Sequence, residues 1–203
     1  MQVMIRYLVA VFAVATAFAA PAVAGPYEDG LAAYNERHYA KAAELWQPLA
    51  EKGNAAAQYH LANLYADGKG VEKNDATAFM WFMRAAEQGD AAAQYDVGTS
   101  YFSGTGVQKN DVEAAKWFLR AANQGLEFAQ LNIGLLYAAG NGVPQDNIEA
   151  FKWLELAFFS LPAGGPRSDV ARAMTDVAGN MTREQIAEAK QRERGWKAKP
   201  EVK

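Results

Sequence analysis

The sequence predicts an all-α protein, a solenoid made by stacking antiparallel helix pairs. Three observations predict it. The chain repeats itself every 36 residues, each repeat holds two segments of helical periodicity around a glycine-rich loop, and no stretch alternates every second residue as a half-buried strand would. The register is carried by Gln58/Gln94/Gln130, Tyr65/Tyr101/Tyr137, Trp81/Trp117/Trp153 and Ala85/Ala121/Ala157. The predicted organisation is a leader over 1–24, a degenerate helical pair over 25–53, repeats over 54–89, 90–125 and 126–161, and capping helices over 162–203.

Residues 1–24 read as an export signal. Arg6 is the only charged side chain before Glu28, an apolar run extends from Leu8 to Ala20, and Ala22-Val23-Ala24 follows the helix breaker Pro21 as an A-x-A cleavage site. The run is shorter than the ~20 residues of a membrane span. The expectation is cleavage near Ala24, a mature chain starting at Gly25, and a periplasmic or secreted protein with no stable membrane span after cleavage. No cysteine follows the run, so lipid attachment at a new N-terminal cysteine is excluded.

The segment 25–53 is a helical pair whose end, PLAEKGNAAAQ, echoes MRAAEQGDAAAQ at the following unit boundary. In the three repeats the first helix carries Ala57/Ala93/Ala129, Leu61/Val97/Ile133, Ala62/Gly98/Gly134 and Tyr65/Tyr101/Tyr137. At about 100° per residue these offsets fall on one arc of about 140°, a core face whose small residues admit a close neighbour. Loops Gly68-Lys69-Gly70-Val71, Gly104-Thr105-Gly106-Val107 and Gly140-Asn141-Gly142-Val143 follow. They read as helix-terminating turns. They follow a helix rather than a strand, and none completes a phosphate-binding glycine motif.

The second helix starts at an Asx cap, with capping-box spacing at Asn110/Glu113 and Asp146/Glu149 and the same role for Asn74 or Asp75. Its phase places Trp81, Trp117 and Trp153 in the core, and Gly89 and Gly125 stand where a left-handed residue ends a helix. No isolated pair buries so wide an apolar arc; stacked neighbours do. After Pro162-Ala163-Gly164-Gly165-Pro166 breaks the register, two helices are expected, near 167–178 and 183–196. Thr182 and Gln185 form a capping box for the last, a solvated terminal cap.

Composition narrows the chemistry. The 203-residue chain is 51% apolar and 21% charged, enough for a core and too apolar for disorder. A net charge of −3 argues against nucleic acid as the main partner. With no cysteine, disulfides, thiol catalysis and cysteine-held metals are excluded. The two histidines, His38 and His60, are too far apart to form a local metal-ligand pair, and His60 reads as a surface or hydrogen-bonded side chain. No metal, no cofactor and no catalytic residue is expected. There is no G-x-S-x-G, H-E-x-x-H or S-x-x-K, and Asp67, Glu72, Asp75, Glu87 and Asp90 read as surface or cap positions.

From Ala92-Ala93-Gln94-Tyr95-Asp96-Val97-Gly98 through Gly125 the pattern resembles the Sel-one-like repeat family, a relative of the tetratricopeptide repeats. The segment MTREQIAEAKQRERGWK is also similar to the closing segment of exported members. The resemblance implies a right-handed superhelix and a protein-binding role, with the first helix of each pair on the concave side. By the same analogy the setting is a Gram-negative cell envelope, where some periplasmic relatives restrain a membrane sensor kinase. The alternative the family offers is a small envelope hydrolase or peptidoglycan-binding protein. Relatives described as penicillin-binding hydrolases carry a disulfide in each repeat, and this chain carries none.

The repeats point to the binding face by where they differ. In the first helix the variable offsets fall at about 180–260° from Ala57, opposite the core arc. They give a groove offering Tyr59, Asn63, Tyr95, Thr99, Phe102, Phe128, Leu131 and Leu135 to a protein or peptide partner in the envelope. Aromatic side chains bury large area at small entropic cost, which suits anchoring.

Overall fold

The computed structural model describes residues 25–201; the expected leader, 1–24, lies outside the described residues. Among the described residues the chain forms ten α-helices and no strand. In order they are α1 Pro26–Asn35, α2 Tyr39–Glu51, α3 Ala55–Asp67, α4 Asp75–Glu87, α5 Ala91–Ser103, α6 Asp111–Asn123, α7 Glu127–Ala139, α8 Asn147–Ser160, α9 Gly165–Ala178 and α10 Arg183–Arg194. Each of α1 to α8 packs on the helix before and after it, so the pairs stack in series as a solenoid. At the far end α9 and α10 both pack on α8, and α9 also reaches α7.

The caps follow the sequence. Asn54 and Asp90 accept from the amides of Ala57 and Ala93 at 2.8 Å, and Asn74 accepts from Thr77 at 2.9 Å. Asn110 and Asp146 each take two first-turn amides. Only half of the expected capping box forms there, because the Glu113 and Glu149 side chains pair with Lys116 and Lys152 instead of reaching back to the cap. A full box closes at α10, where Gln185 N donates to Thr182 Oγ1 at 3.2 Å and Thr182 N to Gln185 Oε1 at 2.8 Å.

Most of the predicted core arc is buried: Ala57, Leu61, Ala62, Ala93, Val97, Ala129 and Ile133 are all fully inaccessible, while Tyr65, Tyr101 and Tyr137 at its end are half-buried. Trp81 and Trp153 are buried as expected. Trp117 is half-buried instead, packed against the core on one side with the Arg120 guanidinium 4.4 Å over its ring.

Unit joins to unit through a buried amide ladder. Gln58 Nε2 donates to Ala50 O at 2.9 Å, and Gln88 Nε2 donates to Gln58 Oε1 at 2.7 Å. One unit on, Gln94 donates to Ala86 O at 3.2 Å and Gln124 donates to Gln94 Oε1 at 2.9 Å. Buried amides need such partners. In the third unit Gln130 Oε1 has none, because Ser160 stands where Gln88 and Gln124 stood.

The largest departure from expectation is the C-terminal segment. The last helix ends at Arg194 rather than near residue 196, and residues beyond it run back over the turns between units. Trp196 packs edge-on against Trp153, ring centroids 6.1 Å apart. Lys199 N donates to Asn123 O at 2.7 Å, and the Glu201 carboxylate meets Arg120 and Gln94.

Candidate functional site: the face of the first helices

The helices α3, α5 and α7 occupy equivalent places in successive units, and their residues opposite the core arc lie on one face of the solenoid. Contacts run across units along this face. Tyr95 on α5 lies 6.5 Å from the Phe128 ring on α7 and 5.7 Å from Phe118 beneath it. Phe102 on α5 and Leu135 on α7 share two cavities. One, of about 130 Å³, is floored by Phe118 and Leu136 with Asn132 at its wall. The other, of about 430 Å³, is closed on its far side by Ala173, Asp176 and Val177 of α9.

The predicted residues divide by environment. Phe102, Leu135 and Phe128 are 44%, 42% and 40% exposed, an unusual condition for large apolar side chains on adjacent helices. Tyr59 and Tyr95 are half-buried, with Tyr59 5.7 Å from Phe82. Thr99 is exposed and Asn63 half-buried; each donates back to its own helix, Thr99 Oγ1 to Tyr95 O at 3.0 Å and Asn63 Nδ2 to Tyr59 O at 2.9 Å. Leu131 stands apart, half-buried in the cluster that α9 and α10 complete with Val170 and Ile186. Leu131 is thus partly withdrawn from the open face, while Phe128 and Leu135 remain exposed.

One row on this face was missed. Three residues after each core alanine stand His60, Asp96 and Asn132, at the border between the core arc and the variable positions. Their signal in the sequence is a polar residue at an identical offset in all three units. His60 stacks on Trp46 at 4.8 Å and touches Tyr27 and Tyr59, so it is an aromatic-packed residue rather than a plain surface histidine. Burial lowers its pKa, with Asp90 pulling the other way. Asp96 is half-buried beside Tyr59. Burial pushes its pKa up to about 6, against the lowering interaction with the Tyr59 hydroxyl, while Asp90 raises it further. Burial, then the nearby Asp96, raises the Tyr59 pKa in turn.

The arrangement suits binding: apolar cavities open to solvent with the Asn132 amide at one wall, and Asp96 and Tyr59 further along the same face. Among the described residues no group of three or more histidines, aspartates or glutamates is placed to hold a metal ion, and no helix is long and apolar enough to cross a membrane.

Comparison with known proteins agrees with this architecture. The Sel1 repeat model matches residues 25–54, 55–90, 91–126 and 128–158, so the first helix pair counts as a repeat beside the three in clear register. The crystal structure of a Sel1 repeat protein from Oxalobacter formigenes superposes with a TM-score of 0.68 at 34% identity, covering 79% of this chain and 63% of that one. An exopolysaccharide production negative regulator from Rhizobium leguminosarum bv. viciae is 40% identical over 58 residues, 27% of this chain and 22% of that protein. Its counterpart in Rhizobium meliloti (strain 1021) is 40% identical over 53 residues, 26% of this chain and 20% of that protein. The matched stretch thus spans about a fifth of these curated relatives. Stacked repeats of this kind make a scaffold suited to protein–protein contact. With four repeats matched over most of its length, the chain belongs to the Sel1 repeat family.

Proposed function

We propose that this chain is an exported scaffold that binds another polypeptide along the face of α3, α5 and α7, as an adaptor in envelope signalling or assembly. The observation that carries the reading is the pair Phe102 and Leu135. They are large, apolar and over two-fifths exposed, and they line common cavities on consecutive first helices. A partner side chain entering there buries apolar area, and Asn132 at the cavity wall offers it a polar contact of fixed register. Similarity to two negative regulators of exopolysaccharide production supports a regulatory rather than a metabolic adaptor, over the short stretch that is shared. The apolar run and A-x-A site of residues 1–24 support export.

The test is affinity capture of the mature chain from its own envelope fraction, beside Phe102→Ala and Leu135→Ala. Each substitution is expected to weaken capture of the same partner about 30-fold, the equivalent of roughly 2 kcal/mol per anchor. Melting temperature stays within a few degrees, since both side chains are already exposed. An unchanged set of partners would refute the groove. Sequencing the N-terminus of the protein recovered from the envelope checks export, where Gly25 is expected and an intact Met1 would overturn it.

A further inference from the structure

Glu201 occupies a built site. Its carboxylate accepts from Arg120 Nε at 3.1 Å and from Gln94 Nε2 at 2.9 Å, and its backbone amide donates to Gln124 Oε1 at 3.1 Å. Its carbonyl oxygen fills the space beside Gly89, 2.3 Å from where a Cβ on that glycine would stand. The site therefore grips one acidic residue of a non-helical segment by side chain and backbone together.

Thirty-six residues upstream the same four residue types recur as Gln58, Arg84, Gln88 and Gly53. Much of the framework recurs: Gln88 donates to Gln58 as Gln124 does to Gln94, and Arg84 lies over Trp81 at 4.5 Å as Arg120 lies over Trp117 at 4.4 Å, while the second Gln88 amide bond goes to Arg84 O where that of Gln124 goes to Gly89 O. Here nothing fills it. Arg84 has no carboxylate partner among the described residues, and no atom lies within 4 Å of a Cβ built on Gly53. The third unit has lost the chemistry, with Leu156 and Ser160 at the arginine and second glutamine positions. Two units of three thus carry the receptor, and the chain fills one of them itself.

We infer that Gln58, Arg84 and Gln88, with the open space at Gly53, form a second site for an acidic residue of a non-helical peptide supplied by another chain. It lies on the edge made by the turns between units, distinct from the face of the first helices, and it stands whether or not that face binds a partner. The guanidinium holds the carboxylate by charge-assisted hydrogen bonds, the free Gln58 Nε2 hydrogen takes the second oxygen, and Gln88 Oε1 accepts the peptide amide. The ligand class is set by the sister site: a glutamate in a non-helical segment.

The test is an NMR titration of the isotope-labelled mature chain with acetyl-Lys-Pro-Glu-N-methylamide and with the same peptide carrying glutamine. Saturating shifts are expected at the Arg84 Nε–H and at the Gln58 and Gln88 side-chain amides, at least about ten-fold weaker with glutamine and absent in Arg84→Gln. If Arg84→Gln does not fold, the comparison of glutamate and glutamine peptides on the unaltered chain still decides. Equal response to both peptides, no saturation at Arg84, or shifts confined to Arg120 and Gln124 would each overturn the proposal. So would shifts at Arg84 that follow protein concentration without peptide, since these assign the site to the tail of a second copy.

Discussion

A Cβ placed on Gly106 would stand 2.2 Å from the carbonyl oxygen of Asp75. The loop of one unit thus rests directly on the backbone at the start of the second helix of the unit before it, and Gly70 and Gly142 repeat the contact at Ala40 and Asp111. Gly106 also has φ +72°, a conformation that L side chains rarely adopt. Gly106→Ala therefore meets both backbone strain and a rigid neighbour and should cost about 3 kcal/mol or more. Gly104 shares the positive φ, at +77°, but its nearest neighbour is the Lys109 side chain at 3.4 Å, so Gly104→Ala should cost only about 1 kcal/mol. Urea unfolding of the two variants side by side separates the terms; equal losses would mean the backbone contact contributes nothing.

Asp96 gives a pH signature. Its folded pKa, about 6, lies above its ordinary unfolded value, so the native state binds the extra proton between about pH 4 and 6. The sign follows: the stabilisation is fully present below about pH 4, is lost as pH rises through 6, and is absent at neutrality. Asp96→Asn removes the ionisable group, and the variant should be more stable than the parent at pH 7.5, by up to about 2 kcal/mol, with the difference shrinking towards pH 4. Chemical unfolding of both proteins at several pH values is the measurement. A carboxylate kept at such a cost on the face of the first helices fits a binding role, so the same variant should also weaken partner capture.

The Arg120–Glu201 pair is open to solvent, each side chain 36% exposed. Exposed pairs contribute little, and a double-mutant cycle with Arg120→Gln and Glu201→Gln should return a coupling of about 0.5–1 kcal/mol that falls in 1 M salt. A coupling insensitive to salt would mean that the amide contacts, not the charges, hold the segment.

Trp196 is expected to matter more. Trp196→Ala strips the edge-on neighbour from Trp153, whose indole is 2% exposed, and should cost about 1–2 kcal/mol. The near-ultraviolet circular dichroism of the coupled indole pair should diminish together with the loss of stability.

The repeat architecture was legible because repetition amplifies a weak signal: one alanine–glycine–tyrosine phase says little, three in register define a core arc. The exposure of Phe102, Phe128 and Leu135 was legible for the converse reason, since positions released from packing vary between units. What escaped was either non-periodic or set on the border of the helical phase. Nothing near Lys199 or Glu201 in sequence marks them as docked, because their partners lie as far as 107 residues away and belong to other units. The polar row of His60, Asp96 and Asn132 sits between the two arcs, where helical phase alone assigns neither core nor solvent. The partial burial of Leu131 escaped because its cluster is completed by residues after the Gly-Pro turn, where no repeat sets the register.

The returning C-terminal segment changes how the solenoid can come apart. Arrays of this architecture normally couple only adjacent units, which lets them fray from one end and flex like a spring. Here the segment leaves the terminal cap, crosses the turn after α6 and fastens to Gln94 in the second repeat, so the last helices cannot peel away while it holds. Bending that opens this edge is opposed by the same tether, and the inner wall is presented with its curvature already set.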